Sequence, residues 1–220
     1  MPHVWMIRHG QASFGTDNYD RLSPLGHRQA RMLGEWLAAH GQFPARIMVG
    51  TLVRQRETAE GLAEGLGMGA KTPAFEVHPG LNEHNADSIM RGWVKAGNVH
   101  PGHGDRKAHF RALTAAVLGW QAGELVSDEE TFDEWETRIA SAVAQAAEGD
   151  RPCWCVSSGG VIGQAVRVAT GAPASTQIRL QMQVKNASFS RLAGRAERLN
   201  LLSFNETPHL DGQDDLITWS

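Results

Sequence analysis

The feature that most constrains the fold of this 220-residue chain is a short apolar run that recurs before helical patterns. Such runs occupy residues 4–7 and 153–156, and the predicted strand at 46–49 is apolar after Arg46; each leads through a polar loop into a helix pattern. Strands that are buried on both faces of a parallel sheet are apolar throughout. Because strands alternate with helices along the chain, the sequence predicts a parallel sheet that is covered by helices.

Capping signals give the bounds of the helices. Ser23 followed by Pro24 is typical of a helix start, and Gly41 closes that helix. Thr131 with Glu134 three residues later forms a capping box, which predicts a helix over 132–147. Further helices are predicted over 52–66 and 161–170, and a hairpin is predicted from strands at 188–192 and 198–204.

These elements predict an α/β fold in a single domain over residues 1–220. The expected architecture is a three-layer sandwich with a mostly parallel central sheet and helices on both faces. Residues 82–123 are broken by glycine, histidine and proline, above all around 98–104. We interpret this stretch as an irregular insertion over the sheet edge, where a parallel sheet carries its functional loops.

Composition and charge exclude several classes of function. The net charge is −3, so the chain as a whole attracts neither nucleic acid nor an anionic membrane. Cys153 and Cys155 lie two apart in one apolar run and suggest no disulfide framework. The sequence has no signal-peptide pattern near its first residues and no long apolar span. A cytoplasmic location is therefore expected.

Two groups of residues suggest anion chemistry. Arg8, His9 and Gly10 directly follow the first predicted strand, where backbone amides and a fixed imidazole can face one anion. Arg54 and Arg56 lie in the first turn of a predicted helix, where the helix dipole disfavours cations unless an anion is bound. Arg54 is thus a candidate phosphate ligand, whereas Arg56 is expected to be a solvated surface residue.

An ordered set of short motifs resembles the histidine phosphatase superfamily, also called phosphoglycerate mutase-like. The opening Arg-His-Gly-Gln-Ala-Ser-Phe-Gly at 8–15 resembles a group of bacterial members, and the similarity covers nearly the whole chain. The other motifs are Leu-Ser-Pro-Leu-Gly at 22–26, Leu-Val-Arg at 52–54, Leu-Asn-Glu at 81–83 and Ser-Gly-Gly at 158–160.

The resemblance implies a phosphatase that acts on a phosphomonoester of a small molecule and needs no cofactor or metal. By this resemblance His9 attacks phosphorus and becomes a phosphohistidine, Arg8 and Arg54 neutralise the phosphoryl oxygens, and Glu83 protonates the leaving group. Substrate-binding roles are expected for a further set of residues: Gly10, Gln11, Ser13, His84, Ser158 and Gly159.

One position departs from the family pattern. Ser158 stands where the family usually has a second histidine before the two glycines, so a neutral hydroxyl replaces a potential cationic donor. Loss of one preorganised donor typically slows an enzyme about a hundred- to a thousandfold, which predicts a slower enzyme and not an inactive one. His84, next to the proposed acid, could supply the missing charge.

Three alternatives stay open at this point. The chain could be a phosphate-pocket protein with a binding or regulatory role and little turnover, or a mutase of the phosphoglycerate type. A metal site is a less favoured hypothesis, with ligands drawn from His78, His84, His100, His103 and His109 and from Asp87 or Asp105. Phosphorylated small molecules are the expected partners, nucleic acid and membranes are not, and a homodimer is left open.

Overall fold

A mixed sheet forms the centre of the molecule. The computed structural model describes residues 3–13, 20–102 and 105–219, with the backbone alone of Arg106. The strands in chain order are β1 (His3–Arg8), β2 (Arg46–Val49), β3 (Phe75–Val77), β4 (Cys153–Ser157), β5 (Phe189–Arg195) and β6 (Arg198–Glu206). Their order in the sheet is β3-β2-β4-β1-β5-β6. Strands β3, β2, β4 and β1 pair in parallel with one another. Strands β5 and β6 are antiparallel to their neighbours.

Helices cover both faces of this sheet. They are α1 (Pro24–Ala39), α2 (Val53–Leu66), α3 (Ala86–Lys95), α4 (Arg106–Gln121), α5 (Phe132–Ala146), α6 (Gly159–Ala169) and α7 (Thr176–Gln181). The local signals for two of them are confirmed, since the Ser23 side chain caps α1 and Thr131 with Glu134 forms the capping box of α5. Within the described ranges, no helix combines the length and apolar character that crossing a bilayer requires.

Alternate residues of β1 contribute to two separate hydrophobic cores. Trp5 and Ile7 pack with residues of α1 and α2 on one face, whereas Val4 and Met6 pack with residues of α3 to α6 on the other. This alternation follows from the period of two along a strand. The predicted α/β sandwich of three layers, with a mostly parallel sheet, is therefore confirmed.

Helices α1 and α2 approach each other so closely that glycine is required at their contact. A Cβ atom on Gly34 would lie 2.3 Å from the Leu62 carbonyl oxygen, and one on Gly65 would lie 2.2 Å from the Arg31 carbonyl oxygen. Neither position has room for a side chain. The contact holds α2, which carries Arg54, directly against α1.

The predicted irregularity of residues 82–123 is wrong for most of that stretch. It contains α3 and α4, whose first turns are capped by the side chains of Asn85 and Asp105. Met90 of α3 and Trp120 of α4 are buried in the larger core. Gly92 and Gly119 lie within these helices, and the connection between the helices contains Gly97, which has a positive φ of 89°. The glycine and proline residues therefore do not prevent helix formation in most of this stretch.

Candidate active site

His9 follows β1 at the carboxyl edge of the sheet. Its backbone N–H donates to the Ser157 carbonyl oxygen at 2.9 Å, which ties the ends of β1 and β4 together. Its own carbonyl oxygen accepts from Asn186 Nδ2 at 3.1 Å. The side chain is buried, with 4% of the residue exposed. The sheet edge therefore fixes the backbone of His9, and the buried side chain packs at this edge.

The hydrogen bond of the ring sets its tautomer. His9 Nδ1 lies 2.7 Å from the Gly10 carbonyl oxygen, and because a carbonyl can only accept, Nδ1 carries the proton. Burial lowers the pKa of His9 well below its ordinary value, and the positive charges of Arg54 and Arg8 lower it further. The imidazole is therefore neutral near pH 7, with its lone pair on Nε2.

Arg54 lies against that lone pair. Its Nε donates to His9 Nε2 at 3.3 Å, and its Nη1 donates to Asp20 Oδ1 at 2.7 Å. Asp20 also accepts from the Val53 N–H at 3.0 Å through Oδ2. The residue before α2, Leu52, has no side-chain cap of its own, so Asp20 caps this helix and orients Arg54 with one carboxylate. Asp20 is not among the residues predicted from the sequence.

The other two arginines have different surroundings. Arg8, the last residue of β1, donates through Nη1 to the Val184 carbonyl oxygen and through Nη2 to that of Trp219, the latter at 3.0 Å. Its Nε would lie 3.7 Å from a Cβ atom on Gly159, which places the guanidinium next to the start of α6. Arg56 is exposed and pairs with Glu60 at 3.0 Å, as its surface interpretation predicts.

Glu83 reaches the start of α6 from the loop after β3. Its Oε2 accepts from the Gly160 N–H at 2.7 Å, and its Oε1 accepts from the His84 N–H at 3.1 Å. The first N–H groups of a helix have no partner within the helix and carry a partial positive charge, so they attract a carboxylate. This is the same helix start that Arg8 approaches.

His84 lies behind this carboxylate. Its Nε2 is 3.3 Å from Gln181 Oε1 and 3.7 Å from Glu83 Oε1. The ring packs against Trp120 and Trp135, with centroid distances of 5.9 and 5.7 Å. These contacts place His84 beside the proposed acid, and its expected role as a phosphoryl donor stays a prediction.

The loop after His9, which contains Gly10, Gln11 and Ser13, packs against the start of α1. A Cβ atom on Gly10 would lie 2.4 Å from the Gly26 carbonyl oxygen, so the two backbones touch. Gln11 Oε1 accepts from Ser23 Oγ at 2.8 Å, and Ser13 Oγ donates to the Leu22 carbonyl oxygen at 3.0 Å. These bonds shape the loop, and substrate contacts of the three residues stay predictions.

Ser158 lies between the end of β4 and the start of α6. Its Oγ accepts from Gln55 Nε2 at 2.9 Å, and the residue is 1% exposed. The same Gln55 nitrogen donates to the Leu81 carbonyl oxygen at 2.9 Å, in the turn before Glu83. Gln55, the immediate neighbour of Arg54, is likewise not among the residues predicted from the sequence.

The predicted residues thus gather around the carboxyl ends of β1 and β4. Arg54 contacts His9, Arg8 lies next to Gly159, and Glu83 bonds to the residue after Gly159. No group of three metal-ligating side chains is found among the described residues, and His103 of the metal hypothesis lies outside them. The arrangement combines a neutral imidazole, two guanidinium groups, a carboxyl group and a helix start, which together suit a phosphoryl group.

Comparison with solved structures shows the same fold. A mutant phosphoserine phosphatase from Entamoeba histolytica in complex with phosphoserine has a TM-score of 0.66 and 18% identity, covering 96% of this chain and 100% of that one. A mycobacterial glucosyl-3-phosphoglycerate phosphatase has a TM-score of 0.63 and 24% identity, covering 93% and 99%. A phosphoglycerate mutase from Bacillus anthracis has a TM-score of 0.67 and 17% identity, covering 94% of both chains.

Comparison by sequence extends this result. The mitochondrial serine/threonine-protein phosphatase PGAM5 of Xenopus laevis is 32% identical over 92 residues, which are 41% of this chain and 29% of that protein. The match therefore spans less than a third of that relative. A profile of the histidine phosphatase superfamily (branch 1) matches residues 4–207. Since this profile covers nearly all of the chain, the protein belongs to the histidine phosphatase superfamily.

Proposed function

We propose that this protein is a phosphomonoesterase that hydrolyses a phosphorylated small molecule through a phosphohistidine on His9. The observation that carries the proposal is the state of the His9 ring. Its Nδ1 donates to the Gly10 carbonyl oxygen at 2.7 Å, and its unprotonated Nε2 lies 3.3 Å from Arg54 Nε. A nucleophilic imidazole needs a neutral ring, a fixed tautomer and positive charge where phosphate arrives.

In the first step, His9 Nε2 forms a bond to phosphorus while the bond between phosphorus and the ester oxygen breaks. The leaving oxygen takes the proton of the Glu83 carboxyl group. Arg8 and Arg54 offset the negative charge that spreads over the phosphoryl oxygens. The Gly10 carbonyl stabilises the positive charge that the ring gains, because it accepts from the proton that remains on Nδ1.

In the second step, water attacks the phosphohistidine. The ionised Glu83 takes a proton from the water while the water oxygen bonds to phosphorus. At the same time the bond from phosphorus to His9 Nε2 breaks. Inorganic phosphate leaves, His9 regains its lone pair and Glu83 its proton. Glu83 bonds to the Gly160 N–H at the same helix start that Arg8 approaches, which supports its assignment to the phosphate site.

The proposal includes a cellular location and a partner. Both cysteines, Cys153 and Cys155, are free and buried in β4, which supports the cytoplasm as the site of action. The expected partner is a phosphorylated metabolite, whose identity depends on the residues between Glu83 and the end of α4. A slower rate due to Ser158 also stays a prediction.

A panel of phosphorylated metabolites tests the proposed function. We expect release of inorganic phosphate from at least one phosphomonoester, with saturation kinetics and without added metal. His9→Ala serves as the background control, since it lacks the nucleophile. Release that does not exceed this control for any ester of the panel would be evidence against a phosphatase.

A further inference from the structure

Gln55 connects three parts of the proposed site. It lies on α2 next to Arg54, and its side chain is fully buried, with 0% of the residue exposed. Its Nε2 donates at 2.9 Å both to the Leu81 carbonyl oxygen and to Ser158 Oγ. A buried amide that spans separate loops in this way contributes to the geometry of the site and not only to packing.

The direction of the bond to Ser158 is fixed by the bond to Leu81. A carbonyl oxygen can only accept, so the end of the Gln55 amide that faces Leu81 must be the NH₂ group. The same nitrogen faces Ser158 Oγ, and the serine oxygen is therefore the acceptor. The hydroxyl proton of Ser158 is left to point away from Gln55.

Ser158 does not use its side chain as serine usually does at a helix start. It occupies the N-cap position of α6, yet it forms no side-chain cap hydrogen bond. The backbone carbonyl oxygen of the preceding residue, Ser157, accepts from the His9 N–H. Ser158 therefore begins the loop beside His9. Among the described residues, Ser158 Oγ forms a hydrogen bond as the acceptor from Gln55 and none as a donor, so its proton is available to a ligand.

We propose that Gln55 is a positioning residue that directs the Ser158 hydroxyl proton to a phosphoryl oxygen in the His9 pocket. The proposal rests on the proposed function, since it assigns the phosphoryl group to the same pocket. Through the Leu81 carbonyl, Gln55 also steadies the turn that carries Glu83. Gln55 and Ser158 thus act as one unit: Ser158 donates to the phosphoryl oxygen, and Gln55 orients the Ser158 hydroxyl.

A double-mutant cycle on inorganic phosphate affinity tests this coupling. The variants are Gln55→Met, which keeps the length of the side chain and removes the amide, Ser158→Ala, and the double variant. We expect each single change to weaken phosphate binding about tenfold, the usual effect of one lost hydrogen bond to a charged group. The double variant should bind no more weakly than either single one. Calorimetric titration with phosphate gives the affinities.

The matched control is Gln164→Met, which alters another buried helical glutamine, bonded to Glu136 at 2.7 Å and not to the site. It should bind phosphate as the wild type does. If Gln55→Met does not fold, Gln55→Asn takes its place in the cycle, because the shorter amide cannot reach Ser158. Losses of affinity that add in the double variant, or an unchanged affinity in the Gln55 variant, would overturn the proposal.

The cycle also separates this proposal from the proposed function, because phosphate binding is measured without turnover. If the losses of phosphate affinity are coupled but the wild-type protein hydrolyses no ester, the role of Gln55 is supported and the proposed phosphatase activity is overturned. Normal hydrolysis with additive losses would overturn the role of Gln55 alone. A wild-type protein that binds no phosphate would overturn the role of Gln55 together with the pocket.

Discussion

Arg54 donates through Nε to Nε2 of His9 at 3.3 Å, so the arginine faces the very nitrogen that we propose as the nucleophile. The same guanidinium is held by Asp20 at 2.7 Å. A phosphoryl group that enters here meets the lone pair of His9 and the charge of Arg54 together. The contact couples the basicity of the nucleophile to the binding of the substrate.

Arg54→Met is therefore expected to raise the pKa of His9 relative to the wild-type protein. The positive charge of Arg54 lowers that pKa, but burial is the larger cause and remains, so the value should stay below that of an ordinary histidine. Phosphate binding should weaken at least about tenfold, because a charged donor is lost. NMR titration of the imidazole and calorimetry measure the two effects.

Arg56→Met is the matched control, since Arg56 lies in the same helix turn, is exposed and pairs with Glu60. It should leave both the His9 titration and the phosphate affinity unchanged. An identical His9 titration in wild type and Arg54→Met would show that Arg54 does not act on the ring.

Glu83→Gln should slow hydrolysis of alkyl phosphates far more than hydrolysis of p-nitrophenyl phosphate. An alkoxide needs a proton as it leaves, whereas p-nitrophenolate is stable without one. The amide retains the size of the side chain and cannot donate or take up a proton as the carboxyl group does. Steady-state rates on the two esters give the ratio, and equal slowing of both would remove Glu83 from the acid role.

Gly160→Ala should impair the acid with little effect on stability. The added Cβ would lie 2.1 Å from Glu83 Oε1, at the end of a flexible side chain that can move away. The expected result is a normal melting temperature with a selective loss of activity on alkyl phosphates. Gly159→Ala adds the same methyl group one residue earlier, where the nearest atom is the Gln181 carbonyl oxygen at 3.3 Å.

The comparison between these two alanine variants isolates the position of Glu83. Gly159→Ala should leave the ratio of alkyl to aryl rates as in the wild type, even if the absolute rates change. A ratio that shifts equally in both variants would indicate a general disturbance of the helix start and not a displaced acid.

His209 should make the folded state less stable in acid. Burial lowers its pKa from 6.5 to about 4, and neither ring nitrogen has a hydrogen-bond partner among the described residues. Below pH 6.5 the unfolded chain therefore binds a proton that the folded one does not, so stability is full above pH 6.5 and falls as the pH drops toward 4. The loss by pH 5 is about 2 kcal/mol.

His209→Leu removes this titrating group and should reduce the loss of unfolding free energy between pH 7 and pH 5. Urea denaturation at the two pH values measures it. His9 has a lowered pKa as well and contributes in the same direction, so some acid sensitivity should remain in the variant. An equally large loss in wild type and variant would show that His209 titrates normally.

Local signals made the sheet and most helices predictable. The apolar run before His9 and the capping box at Thr131 depend on residues that are close in sequence, and both are confirmed. Helices α3 and α4 were missed because their caps, Asn85 and Asp105, lie among glycines and histidines that suggest loops. Their stability comes from burial of residues such as Trp120, which only the tertiary fold provides.

The site was predictable to the extent that it follows from sheet topology. Residues that follow parallel strands meet at one edge, so His9 and Ser158 could be expected together. Asp20 and Gln55 could not, because their partners Arg54 and Ser158 lie 34 and 103 residues away. Nothing in the local pattern distinguishes these two residues from an ordinary surface carboxylate or a helical glutamine.

The most direct test of the account is to trap the phosphoenzyme. Wild-type protein is mixed with a ³²P-labelled substrate from the metabolite panel, quenched in alkali within the first turnover and digested for peptide mapping. The account predicts label on His9 that is stable in alkali and lost in acid, and no label on His9→Ala. Hydrolysis without label on His9, or label on another residue of the wild-type protein, would contradict His9 as the nucleophile.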